Sequence, residues 1–177
     1  MALYFTSDTH FGESRGLRID RRPFSTVAEH DRALIANWNA VVRPGDTVWH
    51  LGDFARGDAS AIASLLDQLC GTKHLIVGNN DGPDTLAAAG WASVQHYREL
   101  TVDGQLLVLC HYPFRTWNKM SKKSVNLHGH SHGRLAPMPR QYDVGVDPQG
   151  LRPVTLPEVL ASRKRAGARS ADKPASS

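Results

Sequence analysis

The stretch that decides the fold is Leu3-Tyr4-Phe5-Thr6-Ser7-Asp8-Thr9-His10, in which a short apolar run leads directly into an Asp-x-His pair. Aromatic, aliphatic and β-branched residues in such a run favour a strand. The carboxylate and imidazole behind it are hard and borderline metal donors. Taken alone, an Asp at a strand end is a turn residue. The pattern gains force because it recurs. Thr47-Val48-Trp49-His50-Leu51 runs into Gly52-Asp53, and His74-Leu75-Ile76-Val77 into Gly78-Asn79-Asn80-Asp81. Gln105 to Cys110 runs into His111, and Val125-Asn126-Leu127 into His128-Gly129-His130-Ser131-His132.

Between these runs the periodicity is helical. Thr26 and Glu29 have capping-box spacing, and Val27, Leu34, Ile35, Trp38 and Val42 share a face that stops before Pro44-Gly45. Ile62, Leu65, Leu66 and Leu69 form a second apolar face, closed by Gly71. A brief helix is predicted from Asp84 to Ala89, a hairpin turn at Asp103-Gly104, and a last strand over Tyr142–Val146. Strand, helix and strand followed by hairpins predict an α/β protein with a mixed sheet. In such a sheet the carboxyl ends of parallel strands converge on one edge, where sites are built. Asp8, His10, Asp53, Asn79, His111, His130 and His132 would meet there. Seven donors exceed one tetrahedral ion and suit two divalent cations sharing a ligand. No cysteine is among them, which argues against a structural zinc site. His128, His130 and His132 alternate, so on an extended segment their rings fall on one side.

As a set, Asp8-Thr9-His10, Gly52-Asp53, Gly78-Asn79-Asn80-Asp81, His111 and Gly129-His130-Ser131-His132 resemble the five motifs of calcineurin-like metallophosphoesterases. The resemblance spans residues 2–147. It implies two β-sheets packed as a sandwich and flanked by helices, in α/β/β/α layers, with a dinuclear centre at the sheet edge. Asp8, His10 and His132 would hold one metal, Asn79, His111 and His130 the other, and Asp53 would bridge them. The implied activity is phosphoester hydrolysis, with a metal-bridging hydroxide as in-line nucleophile and Asp53, Asn79 and Asn80 as catalytic residues. Mixed oxygen and nitrogen ligation suits Mn, Fe, Zn, Ni or Co, with Mn expected for activity. A phosphodiesterase is the first expectation. A phosphomonoesterase or nucleotide pyrophosphatase with the same centre, a non-catalytic scaffold of the same fold, and a nuclease are the alternatives.

The chain departs from the family pattern at identifiable places. The third motif usually reads Gly-Asn-His-Asp, and its histidine is credited with protonating the leaving group. Asn80 stands there, and an amide donates a hydrogen bond but no proton at neutral pH. Some small bacterial members with phosphodiesterase activity also lack that histidine. Asp81 is then expected to fix its loop by hydrogen bonding. Glu13 takes a position where similar sequences often carry histidine, and is read either as a loop residue or as a proton carrier lining the pocket. His50 and His128 are expected in the core or behind the ligands. Arg56 is similar to the phosphate-binding arginine of protein phosphatases, but its spacing is one residue short and the preceding Asp is missing. Substrate contact is assigned to Asn80, Arg115 and Arg56. Arg15, Arg18, Arg21, Arg22, Lys119, Lys122 and Lys123 lie in loops, where solvation is the default and rimming the site the alternative.

Composition bounds the rest. The 177 residues carry 21 Lys+Arg against 17 Asp+Glu, a net charge of +4. Arg163, Lys164, Arg165, Arg169 and Lys173, opposed by Asp172, account for all of that excess, so residues 1–162 are formally neutral. We therefore expect one domain over 1–162 and a basic, disordered tail over 163–177 that binds nucleic acid weakly if at all. No apolar run reaches the roughly 18–20 residues of a membrane span. The N-terminus lacks the basic and apolar regions of a secretory signal. Cys70 and Cys110 are expected as free thiols of a cytoplasmic protein. Oligomeric state leaves no mark in the sequence.

Overall fold

The computed structural model describes residues 1–161; the tail expected over 163–177 lies outside them. The chain forms β1 (Leu3–Thr6), α1 (Arg15–Arg18), α2 (Val27–Val41), β2 (Thr47–His50), α3 (Ala59–Gln68) and β3 (Thr72–Ile76). There follow α4 (Pro83–Ala87), β4 (Trp91–Gln95), β5 (Arg98–Val102), β6 (Gln105–Leu109), β7 (Val125–His128), β8 (Gln141–Asp143) and β9 (Val154–Thr155). Residues 156–161 are helical.

One sheet has the order β4-β3-β2-β1-β9 and the other β5-β6-β7-β8. Strands β1 to β4 run parallel, with Leu3 opposite Thr47 and Thr47 opposite Thr72. In the second sheet β5 and β6 form the hairpin, while β6, β7 and β8 are parallel. The two sheets stack, and their period-2 side-chain alternation divides the apolar residues between two clusters. Phe5, Trp49, Leu51 and Ile76 face Leu107, Leu109, Val125 and Leu127 between the sheets. Val48 and Leu75 point the opposite way, onto Leu34 and Trp38 of α2 and Ile62 and Leu66 of α3. The result is a mixed α/β fold with two sheets flanked by helices, as the motif resemblance implies.

Helix boundaries follow local chemistry. Thr26 Oγ1 accepts from the Glu29 backbone N–H at 3.1 Å, and Glu29 accepts in return from Ser25 N–H at 3.0 Å. Asp58 caps α3 through Ala61 N–H at 2.8 Å. Among elements not anticipated, α1 is a single turn, β4 mixes apolar and polar residues over five positions, and β9 is two residues long. Each is too short or too mixed to carry a period. The last strand ends at Asp143 rather than Val146, because Gly145 leaves β8 to bridge Ser7 of the first sheet. Cys110 is buried and Cys70 half-buried, and both thiols are free. Among the described residues no helix is long and apolar enough to cross a membrane.

Candidate metal centre

All five motifs lie at the carboxyl ends of parallel strands, on one edge of the sandwich. Backbone bonds tie that edge together: Asp8 N–H donates to Gly52 O at 2.9 Å, His10 to Asp53 O at 3.1 Å and Gly129 to His111 O at 2.9 Å. The chains leaving β1, β2 and β7 turn through left-handed residues rather than continuing straight. Asp8, His10, Asp53, His130 and His132 have φ of 56°, 50°, 58°, 67° and 49°. For residues with a Cβ this region is costly, and it persists where surrounding structure over-determines it. The segment 128–132 is therefore not extended. His128 remains in β7, buried, with Nδ1 donating to Gly129 O at 2.8 Å, while His130 and His132 turn toward the edge.

Two donor sets result. Asp8, His10 and His132 place ligand atoms within 4.8 Å of one another, all buried. Asn79 Oδ1 lies 3.0 Å from His111 Nε2 and 2.9 Å from His130 Nδ1, which brings a second trio to one point. Asp53 stands between, with Oδ2 3.6 Å from His10 Nε2 and Oδ1 3.6 Å from His111 Nε2. One carboxylate oxygen thus faces each set.

The protonation pattern of this cluster fits cations. His111 Nδ1–H donates to the Leu51 carbonyl at 2.7 Å, so the lone pair of Nε2 is aimed at Asn79 Oδ1 and Asp53 Oδ1. Burial holds the His111 imidazole below its ordinary range, and hence neutral. His132 Nδ1–H donates to Asp147 Oδ2 at 2.8 Å, and its buried Nε2 has no hydrogen-bond partner. Both ring nitrogens of buried His10 are likewise unpartnered. Burial pushes the Asp8 carboxyl up to about 7, even though His132 opposes it. Burial also raises Asp53, but His111 and two hydrogen bonds from Asn80 outweigh it and hold the carboxyl low. Burial opposes charge on His132, but Asp147, Asp8 and Asp20 together raise it, so the cluster draws positive charge, and acceptors that face one another there suit a cation between them. Asp8, His10, Asp53, Asn79, His111, His130 and His132 are a suitable donor set for divalent cations.

The remaining assigned residues fall at different distances from this cluster. Asn80 is exposed, and its amide is engaged with Asp53 rather than turned to solvent. Asp81 accepts from Asp53, Phe54 and Gly78 backbone N–H groups at 2.9, 2.9 and 2.8 Å, the loop-fixing role expected of it. Arg56 is exposed beside Glu13, and Glu13 Oε2 lies 3.5 Å from His10 Nδ1. Glu13 thus borders the cluster from the loop after His10. Arg115 is exposed in the loop after His111, with no side-chain hydrogen bond or ion pair among the described residues.

Asp147 is not among the sequence-predicted site residues, and Arg22 is there only as a candidate for the rim. Arg22, expected in a solvated loop, is 5% exposed. Its guanidinium binds both oxygens of Asp147 at 2.8 and 2.9 Å and donates to the carbonyls of Thr9 at 2.8 Å and Asp8 at 2.6 Å. One residue thereby supports the first motif loop and the carboxylate behind His132. A third donor group, Asp20 with His132 and Asp147, has metal-like spacing. Arg22 on Asp147 and Arg134 on Asp20, at 2.8 Å, already supply its positive charge. The glycines of the motifs act by absence. A Cβ on Gly129 would collide with Ser7 Oγ and Asp8 Oδ2, and one on Gly78 with the Asp53 carboxylate.

Comparison with known proteins gives a consistent picture. Residues 1–143 match the profile of the calcineurin-like phosphoesterase superfamily domain. An uncharacterised protein of Methanocaldococcus jannaschii is 30% identical over 163 residues, covering 87% of this chain and 86% of that protein. The gene 66 protein of Mycobacterium phage L5 is 30% identical over 181 residues, covering 83% and 87%. A crystal structure of a protein of unknown function from Aquifex aeolicus superposes with a TM-score of 0.70 at 21% identity, covering 90% of this chain and 97% of that one.

Proposed function

The chain belongs to the calcineurin-like phosphoesterase superfamily, and from that membership we propose a phosphodiesterase built on a dinuclear metal centre. The observation that carries this reading is Asp53, whose two carboxylate oxygens face one donor set each at 3.6 Å. Asp8, His10 and His132 would hold one cation, Asn79, His111 and His130 the other, and Asp53 both. Two divalent cations supply a water deprotonated near neutral pH as nucleophile and offset charge on the phosphoryl oxygens. Manganese is the metal we assign for turnover.

The chain's own residues then divide the remaining work. Asp8 and Asp53 carry only two negative charges among these ligands, so the loaded site stays cationic and attracts a phosphate anion. Asn79 turns Oδ1 toward His111 and His130, which leaves its N–H bonds free to donate to a phosphoryl oxygen. Asn80 orients Asp53, and Asp147 fixes the tautomer of His132 so that Nε2 faces Asp8. No side chain at position 80 can deliver a proton to the leaving group, which favours esters whose leaving group needs none. Diester preference follows the resemblance to small members that lack the same histidine.

The test is turnover by manganese-reconstituted protein of an aryl phosphodiester, an aryl monophosphate, cyclic nucleotides and dinucleotides. The aryl diester should be hydrolysed fastest. Asp53→Asn and His111→Ala should each lose at least about a hundredfold with the fold retained. Absence of turnover of every substrate by protein holding two metals would overturn the proposal. Faster hydrolysis of the monophosphate would assign a monoesterase instead.

A further inference from the structure

We infer that a cavity beside the metal centre, walled by Arg15, Arg18 and Arg56, binds a second phosphate carried on one ester arm of the substrate. This inference rests on the phosphodiesterase reading above and names the class of diester that the site takes.

The cavity has a volume of about 360 Å³, and Glu13, Ser14 and Ile19 complete most of its wall. Its position follows from the same strand pairing that builds the metal centre. Phe11 and Ala55 form a parallel bridge, reinforced by Arg56 N–H donating to Phe11 O at 2.9 Å. This bridge aligns the chain leaving His10 with the chain leaving Asp53. Three residues beyond each donor, Glu13 and Arg56 arrive side by side. The single-turn helix α1 then places Arg15 and Arg18, at i and i+3, on one face. A three-residue chain spans at most about 10 Å, so Arg56 stands within reach of a phosphate separated from the scissile one by a sugar or similar short spacer, and Arg15 and Arg18 line the same cavity.

Positive charge exceeds negative in the cavity. Three guanidiniums line it against one carboxylate, and that carboxylate, Glu13, lies against His10. Among the described residues, the side chains of Arg18 and Arg56 form no hydrogen bond or ion pair. Arg15 Nε is buried without a hydrogen-bond partner, and Asp20 approaches it only to 3.8 Å. Guanidinium groups bind phosphate through paired N–H donors, and several around one cavity select a dianion over a neutral arm. A metal centre reads the scissile phosphate alone, whereas this cavity would distinguish diesters by what else they carry.

The experiment compares two substrates on manganese-loaded enzyme: the p-nitrophenyl ester of thymidine 5′-phosphate, and the same compound bearing a 3′-phosphate. The second should have a kcat/KM at least tenfold higher, through KM. Arg18→Ala with Arg56→Ala should bring the ratio of the two substrates to near one. A wild-type ratio of one, or a ratio unchanged in the double variant, would overturn the inference. Failure of both substrates would instead count against the phosphodiesterase reading. The cavity is then decided by inorganic phosphate titrated into the metal-free protein, followed by NMR of arginine Nε–H groups. Saturable shifts confined to Arg15, Arg18 and Arg56 support it, and uniform unsaturable shifts refute it.

Discussion

Asn80 closes on Asp53 with both of its nitrogens, the backbone N–H donating to Oδ1 at 2.9 Å and the side-chain amide to Oδ2 at 2.6 Å. The residue that replaces the family's usual histidine is thus a holder of the shared carboxylate. Asn80→Ala leaves the backbone bond and removes the amide, a charge-assisted interaction worth about 1.5 kcal/mol at a partly exposed site. Metal affinity should fall roughly tenfold, as measured by competition with a chromophoric chelator. Asn80→His restores a group that can protonate a leaving group, and should raise the rate on alkyl esters relative to aryl esters. An unchanged aryl/alkyl ratio would show that position 80 takes no part in leaving-group departure.

Asp147 and Arg22 give a second test. Asp147→Asn removes the carboxylate that orients His132, and changes of this kind lower metal affinity by about 10–100-fold. Calorimetric titration of metal into the variant would read this directly. Arg22→Met leaves the buried side of Asp147 with His132 alone and takes the donor from the carbonyls of Asp8 and Thr9. It should cost about 3–5 kcal/mol of stability in urea unfolding.

His50 should be neutral across the physiological range. Thr9 Oγ1 donates its one proton to Phe54 O at 2.8 Å, so His50 Nε2–H must donate to Thr9 at 2.9 Å. Burial pushes the imidazole down to about 3. With the folded value depressed, the unfolded chain binds more protons between pH 6.5 and about 3. His50 therefore costs stability as pH falls through that window and costs nothing above it. Its Cε1–H resonance should stay unshifted down to pH 5; a titration near 6.5 would contradict the packing against Trp38 and Phe54.

The left-handed donors predict a gain on losing one of them. His130 is exposed with φ 67°, so His130→Gly removes backbone strain and gives up only ring contacts with His111 and Tyr112 and the approach to Asn79. Metal-free protein should become more stable by about 0.5–1 kcal/mol, read from the urea midpoint, while metal binding weakens. A destabilised metal-free variant would show that its imidazole contributes to folding by itself.

The strand-end donors were legible because each follows an apolar run that needs no long-range information to recognise. The same rule reaches Asp147, which directly follows the predicted strand Tyr142–Val146, but no second donor in its motif sets it apart from a turn residue. Arg22 carried no signal, since one arginine among Arg15, Arg18, Arg21 and Arg22 differs from the others only in where the chain folds over it. The alternation of His128, His130 and His132 was visible, but the positive φ values that take two of them out of the strand were not. Those are imposed by contacts between sheets, such as His130 N–H on the Asp8 carboxylate at 3.1 and 3.0 Å. β9 belongs to the same category, because it is completed by β1 at the other end of the chain.

The collisions that a Cβ would cause at Gly78 and Gly129 determine how this surface can vary. A saturation-mutagenesis map scored by metal uptake would show intolerance at two positions that have no side chain and touch no substrate. Tolerance would instead appear at exposed functional letters such as Arg115. Such a map would trace where the backbone must pass close to a carboxylate before it traced the chemistry, and the glycines would set the clearance within which every donor is aligned.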